Sequence, residues 1–106
     1  MAKYLFHGSY TAEGLKGLLK EGGSKRRDAA EQVLGSVGGT VEAYYFAFGD
    51  NDFYVIANLP DNVSTAAGSL VVNASGAVNV KTVVLLTPEE VDQAVKMSAD
   101  FRPPGH

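Results

Sequence analysis

The chain has 106 residues, which is enough for one hydrophobic core and too few for two. Its hydrophobic share of 45% and charged share of 20% are typical of a soluble globular protein, and its net charge of −3 argues against a broad nucleic-acid surface or an anionic membrane as the main partner. Because the sequence contains no cysteine, it excludes disulfides, iron–sulfur clusters, thiolate zinc sites and thiol nucleophiles.

Two further features concern location and metal binding. The first residues lack the apolar core of a secretory signal, and no apolar run approaches the roughly 20 residues needed to cross a bilayer. We therefore expect a cytoplasmic protein with no membrane partner. Only two histidines are present, His7 and His106, so we expect no histidine-based metal site within one chain.

The N-terminal third predicts a strand followed by a helix in two pieces. Residues 4–10 form an apolar and aromatic run that ends in turn residues, so we predict the first strand there. Thr11 is a suitable N-cap, and Ser24 is predicted to cap the second piece after the glycine pair 22–23. Apolar residues follow at helical spacing in both pieces: Leu15, Leu18 and Leu19, then Ala30, Val33, Leu34 and Val37.

The centre of the chain predicts a β-hairpin. Two aromatic-rich runs, near 41–48 and 53–59, flank Gly49-Asp50-Asn51-Asp52, whose residue types tolerate turn dihedrals and bond to nearby backbone. Both alternating sets of side chains in these strands are apolar or aromatic, whereas a sheet that is wet on one side alternates apolar with polar residues. Since the crossover helices cover only one face, we predict that a second subunit covers the other in a homodimer or higher homo-oligomer.

The C-terminal half predicts a crossover helix, a fourth strand and a short terminal helix. After Pro60-Asp61-Asn62, an apolar stripe follows helical spacing: Val63, Ala66, Ala67, Leu70, Val71 and Ala74. We predict that this stripe packs in the core, so that Leu70→Ala costs about 2–5 kcal/mol of stability. The β-branched run 78–86 predicts the strand, and Thr87-Pro88-Glu89-Glu90 has the N-cap, N1 proline and N3 glutamate that begin a helix.

The order β-α-β-β-α-β plus a terminal helix predicts an α+β fold. The known compact solution for that order is the ferredoxin-like sandwich, in which strands one and three are central in an antiparallel sheet and both crossover helices lie on one face. We predict a single domain over residues 3–101, followed by a loose tail at 102–106.

Four short segments occur in a fixed order along the chain: Tyr10-Thr-Ala-Glu-Gly-Leu-Lys16, Phe48-Gly-Asp-Asn-Asp52, Leu59-Pro-Asp61 and Ala74-Ser-Gly76. Their joint order and spacing resemble the GYD-domain family of small bacterial proteins, from Lys3 to about Val95. The resemblance implies a dimeric α+β barrel, in which two sheets pack face to face, and it implies no reaction. The family motif has a glycine, usually one variable residue, then Tyr-Asp; here Asn51 takes the tyrosine position and Asp52 matches the aspartate.

Five residues are candidates for contacting a ligand, and each also has a purely structural interpretation: His7, Tyr10, Tyr45, Asp52 and Tyr54. His7 can line a pocket as a base or a haem ligand, or pack as a neutral, hydrogen-bonded histidine. The tyrosines suit a packed interface with satisfied hydroxyls, or one or two of them contact a ligand.

The acidic pair and the basic run also leave two interpretations open. Asp50 and Asp52 can hold a cation or act as acid and base, or they can bond turn amides; no EF-hand pattern follows them. We predict that Asp52, which matches the family motif, anchors the loop and matters more than Asp50. Lys25-Arg26-Arg27 either captures a phosphate with the helix amides or forms a solvated face paired with nearby acidic residues.

The sequence leaves three classes of function open. The leading hypothesis is a small-molecule-binding or accessory module, a homodimer whose paired sheets enclose a mostly apolar cavity with a few Tyr, His and Asp groups. The second is a cofactor-independent monooxygenase or isomerase that uses His7 or Asp52 as its base. The third is a structural or assembly protein without a ligand. We expect no cofactor, no metal and no nucleic acid, with a second copy and an unidentified small molecule as partners.

Overall fold

The computed structural model describes residues 1–105, and its elements follow the order that the sequence predicts. The strands are β1 (Ala2–Tyr10), β2 (Thr40–Phe46), β3 (Phe53–Leu59) and β4 (Val78–Leu85). The helices are α1 (Ala12–Glu21), α2 (Gly23–Ser36), α3 (Asn62–Ala74) and α4 (Pro88–Val95). The predicted tail 102–106 ends with His106, which lies outside the described residues.

The four strands form one antiparallel sheet in the order β2-β3-β1-β4, so β1 and β3 are central and β2 and β4 are the edges. The α1–α2 pair connects β1 to β2, and α3 connects β3 to β4. This is the predicted α+β, ferredoxin-like arrangement, and it is confirmed. One irregularity occurs in β2, where the pairing shifts between Val41 and Ala43 and leaves Glu42 as an extra residue.

The hydrophobic core lies between the sheet and the helices. Alternate residues of the two central strands supply most of it, because side chains point to opposite faces with a period of two. The buried apolar set is Tyr4, Phe6, Tyr10, Leu34, Phe53, Val55, Ala57, Leu59 and Val78. Ala57 and Leu59 are fully inaccessible, and within residues 1–105 Leu34 is the one member of this set that a helix contributes.

Local capping explains where the helices begin. The Thr11 hydroxyl accepts the Gly14 N–H, the Asp61 carboxylate accepts the Ser64 N–H, and Thr87 forms the predicted capping box with Glu90. The prediction that Ser24 caps the second piece is wrong, because α2 begins at Gly23. Gly22 separates the two pieces at φ 84°, a backbone conformation that glycine adopts without a steric penalty.

The predicted core stripe of α3 is also wrong, because this stripe faces solvent. Leu70 is 71% exposed and Val63 is 80% exposed, whereas the small residues Thr65 and Gly68 are buried. Large aromatic side chains of the core project from the helix side of the sheet, so a helix face of small residues approaches them. Tyr4 shows this closeness, since its hydroxyl donates to Oδ1 of Asn62 at 2.6 Å.

The C-terminal segment extends away from the domain. Every residue from 88 to 105 is exposed, including all of α4. The Cα radius of gyration is 16.8 Å, and the longest dimension is 57 Å. A compact chain of this length has a radius of about 13 Å, so this chain is more extended than a compact domain. Among the described residues, no helix is both long and apolar enough to cross a membrane.

Candidate functional site

The sheet face opposite the helices, called the open face below, carries three rows of side chains that run across all four strands. Strand register sets the members of each row, and successive rows are about 7 Å apart. The polar row, at the hairpin-loop end, is Lys81, His7, Tyr54 and Tyr45. The apolar row, in the middle, is Val83, Leu5, Ile56 and Ala43. The far row is Leu85, Lys3, Asn58 and Thr40.

No described element covers this face. Tyr45 is 68% exposed, Tyr54 39% and Val83 41%, although all three belong to strands of a four-stranded sheet. At the far row, Lys3 pairs with Glu42, and its hydrogen bond holds the pKa of the Glu42 carboxyl below the ordinary value. The open face therefore presents an apolar middle between two polar ends.

A hydrogen-bonded group of three side chains lies at the polar row. His7 Nδ1 is 3.0 Å from Oδ1 of Asn51, and Asn51 Nδ2 donates to the Tyr54 hydroxyl at 3.3 Å. The rings of His7 and Tyr54 are nearly parallel, with centroids 6.2 Å apart. Because an amide oxygen only accepts, Nδ1 carries the hydrogen, and a neutral His7 has its lone pair on Nε2. That nitrogen has no hydrogen-bond partner within residues 1–105.

Asn51 is a residue that sequence reasoning treated only as a departure from the family motif. It occupies the expected tyrosine position, and its amide joins two candidates that are 47 residues apart, His7 and Tyr54. The sequence feature that could have indicated this role of Asn51 is its position beside Asp52, where the hairpin loop contacts β1. Periodicity carries no information about such a contact, because it depends on the register between β1 and β3.

Asp52 fixes the loop to the end of β1. Its Oδ2 accepts the Tyr10 N–H at 2.9 Å, and its own N–H donates to the Gly8 carbonyl at 2.7 Å. The Asp52 carbonyl accepts the Ala47 N–H at 2.8 Å, which closes the hairpin. Asp50 is exposed and makes no side-chain hydrogen bond or ion pair within the described part of the chain. In that same part, no group of three or more His, Asp or Glu residues is placed to hold a metal ion.

The structure therefore places the five predicted site residues on the two faces of the sheet and in the hairpin loop. His7, Tyr45 and Tyr54 share the polar row of the open face. Tyr10 is buried on the helix side, where its hydroxyl lies 2.9 Å from the hydroxyl of Tyr44. Asp52 lies in the loop between them and contacts the Tyr10 backbone.

A second feature lies on the helix side, where sequence reasoning placed no site. A cavity of about 270 Å³ lies between the sheet and the helices α2 and α3. Phe6, Phe53, Val72 and Val78 are among its apolar walls, and Tyr10, Tyr44 and Arg26 also line it. Burial raises the pKa of the Tyr44 phenol above its ordinary value, and the Tyr10 hydroxyl raises it further. Arg26 was identified only as part of a basic run; its inward position follows from tertiary packing.

Comparison with known proteins gives one positive finding. A family model described as the GYD domain matches residues 4–95, from within β1 to the end of α4. This confirms the resemblance seen in the four sequence segments. No curated protein matches the chain.

Proposed function

The chain belongs to the GYD domain family, and from this premise we propose that it is a homo-oligomeric small-molecule-binding module in which a second copy covers the open face. The observation that carries the proposal is the apolar row. Its largest members, Leu5, Ile56 and Val83, form a continuous band across the central strands and one edge, on a face that no described element covers. Contiguous apolar surface of this kind marks an interaction site.

Packing two copies face to face accounts for both the apolar and the polar parts of the open face. Two stacked sheets lie about 10 Å apart, a distance that the side chains of two apolar rows fill. The two polar rows then line the space beside this contact with imidazole, phenol and ammonium groups from His7, Tyr54 and Lys81. A mostly apolar cavity with a few convergent polar groups is the usual form of a small-molecule site.

Sedimentation velocity tests the self-association. We expect the wild-type chain of 11.2 kDa to sediment as a dimer or larger species at micromolar concentration. Val83→Lys places an ammonium in the proposed contact and should release monomers, because burying an unpaired charge is costly. Val71→Lys is the matched control, since Val71 is 64% exposed on the outer side of α3, away from the sheet. A monomeric wild type, or equal dissociation by both variants, would refute the proposal.

Ligand binding at the polar row needs its own measurement. In an NMR screen of small aromatic and carbonyl compounds, we expect the shifted resonances to cluster at His7, Tyr54 and Lys81. His7→Ala should abolish these shifts, and Val71→Lys should preserve them. If the wild type dimerises and no compound binds at a filled interface, a structural or assembly role replaces the binding role.

One observation favours enzymatic acid–base chemistry as a second function. Because Asn51 fixes the hydrogen of His7 on Nδ1, the Nε2 atom is able to accept a proton from a bound compound. A nitrogen with a free lone pair is one requirement of the base in a cofactor-independent monooxygenase or isomerase. Turnover that His7→Gln abolishes and Tyr45→Phe preserves would support this function, whereas binding without turnover would support the module alone.

A further inference from the structure

The cavity on the helix side is lined by residues of a single chain and does not depend on a second copy. The sheet forms its floor with Phe6, Phe53 and Val55, and α2 and α3 form its two sides. Gly68 belongs to the α3 side, and a Cβ on it would meet only Leu34 Cδ2, at 3.5 Å. The small side chains along this part of α3 therefore keep the space between the two helices open.

Some polar groups at this cavity have hydrogen-bond partners, and others have hydrogens that remain available. The Tyr10 and Tyr44 hydroxyls bond each other at 2.9 Å, which uses one of their two hydrogens and leaves the other available. Arg26 Nη1 donates to Glu21 Oε2 at 3.3 Å. The Nε atom of Arg26 is buried and has no hydrogen-bond partner among the described residues. A buried donor without a partner is costly, so this N–H is a group that a bound acceptor would satisfy.

We propose that this cavity binds a small amphipathic carboxylic acid, with its hydrocarbon part between α2, α3 and the sheet and its carboxylate on Arg26 and the Tyr10–Tyr44 pair. The Nε and Nη2 edge of a guanidinium presents two parallel N–H groups, which match the two oxygens of a carboxylate. Glu21 already pairs with Nη1, so a monoanion adds less unbalanced negative charge at this site than a phosphate dianion would.

The size of the cavity limits the ligand. A dry cavity of about 150 Å³ holds one benzene molecule, so a volume of 270 Å³ corresponds to a ligand of about ten non-hydrogen atoms. Octanoate has this size and carries one carboxylate, and octanol is nearly the same molecule without the charge. These two compounds are therefore suitable probes.

An NMR titration of the full chain with each probe tests the proposal. We expect saturable binding of octanoate, with the largest shifts at Val33, Val72 and Val78, which line the cavity. Arg26→Gln should weaken octanoate binding by about tenfold or more and change octanol binding by less than about twofold. Arg27→Gln, a substitution of the exposed neighbouring arginine, should leave both affinities unchanged.

Two further variants and one control keep the test decisive if Arg26→Gln disturbs folding. Tyr44→Phe retains the ring and removes one hydroxyl, so it should weaken octanoate and spare octanol. Ala30→Leu adds side-chain atoms inside the cavity and should weaken both probes, whereas Ala67→Leu adds the same atoms on the exposed side of α3 and should weaken neither.

Three results would overturn the proposal: no saturable octanoate binding, equal weakening by Arg26→Gln and Arg27→Gln, or shifts at Leu5, Ile56 and Val83. The last result would place the acid on the open face and would leave the proposed function standing. If the chain is monomeric and octanoate binds at the cavity, this proposal is supported and the proposed self-association is refuted. The two proposals therefore succeed or fail separately.

Discussion

Replacing Gly14 by alanine tests how tightly α1 is held against the turn that precedes β4. A Cβ at Gly14 would lie 2.0 Å from the carbonyl oxygen of Ala77 and 3.1 Å from the Tyr10 ring. Ordinary contact begins at 3.4 Å, so the helix and the turn would have to separate by roughly 1.4 Å. The same carbonyl accepts the Thr11 N–H at 3.0 Å, and this separation would break that bond.

The expected cost follows from three terms. Forcing atoms into a packed site costs about 1–3 kcal/mol, and the loss of a hydrogen bond costs about 0.5–1.5 kcal/mol. The higher helix propensity of alanine offsets at most about 1 kcal/mol. We therefore expect Gly14→Ala to lower the free energy of unfolding by about 1–4 kcal/mol.

Gly17 provides the matched control on the same helix. A Cβ at this position has no atom within 4 Å, so Gly17→Ala should raise stability by about 0.5–1 kcal/mol through helix propensity alone. Urea denaturation followed by circular dichroism measures both variants, and similar m-values would show that stability itself has changed. If Gly14→Ala were as stable as the wild type, or gained stability as Gly17→Ala does, α1 would not be held against Ala77.

Three further predictions concern the loop, the core and a helix cap. Asp52→Ala should lower stability by about 1–2 kcal/mol, because the Tyr10 N–H loses its acceptor. Asp50→Ala should change stability by less than about 0.5 kcal/mol. Equal effects of the two variants in denaturant melts would contradict the anchoring contact. Leu59→Ala should cost about 2–5 kcal/mol and Leu70→Ala less than about 0.5 kcal/mol, and a large loss at Leu70 would mean that α3 faces the other way. The Ser64 N–H lowers the pKa of Asp61 below its ordinary 3.8, so this cap stabilises the fold above that pH and the benefit is lost as the pH falls through the folded pKa. The stability gap between wild type and Asp61→Ala should therefore be constant near neutral pH and shrink below about pH 4, and a gap that persisted at about pH 2 would refute this cause.

Local sequence signals predicted most of the fold because local chemistry decides it. β3 has the predicted bounds, 53–59, since a turn and a proline bracket an apolar run. The capping box at Thr87 likewise depends only on neighbouring residues. The orientation of α3 could not be predicted in this way, because a period of 3.6 identifies an apolar face without stating what lies beneath it. Here the aromatic floor of the sheet favours Thr65 and Gly68, and the apolar stripe faces outward.

The candidate sites depend on contacts that are distant in sequence, so they were predicted only in part. The predicted alternation identified the open face, and the register then aligned His7 with Tyr54. Asn51 and Tyr44 acquire their roles through partners 44 and 34 residues away. Arg26 belongs to a run of three basic residues, and charged residues of this kind usually face solvent. The packing of α2 places Arg26 beside the cavity, and the sequence alone does not predict this.

The position of β4 at an edge of the sheet has a consequence for solubility. An edge strand presents unpaired backbone groups that are able to pair with another chain, and β4 is mostly β-branched and apolar. Lys81 is the only charged residue among its eight, and it lies near the middle of the strand. If two β4 edges joined in antiparallel fashion with the two Lys81 residues directly opposite each other, their ammonium groups would lie on the same face and repel each other. Lys81 therefore opposes this edge-to-edge pairing, while the faces of the sheet remain free to pack.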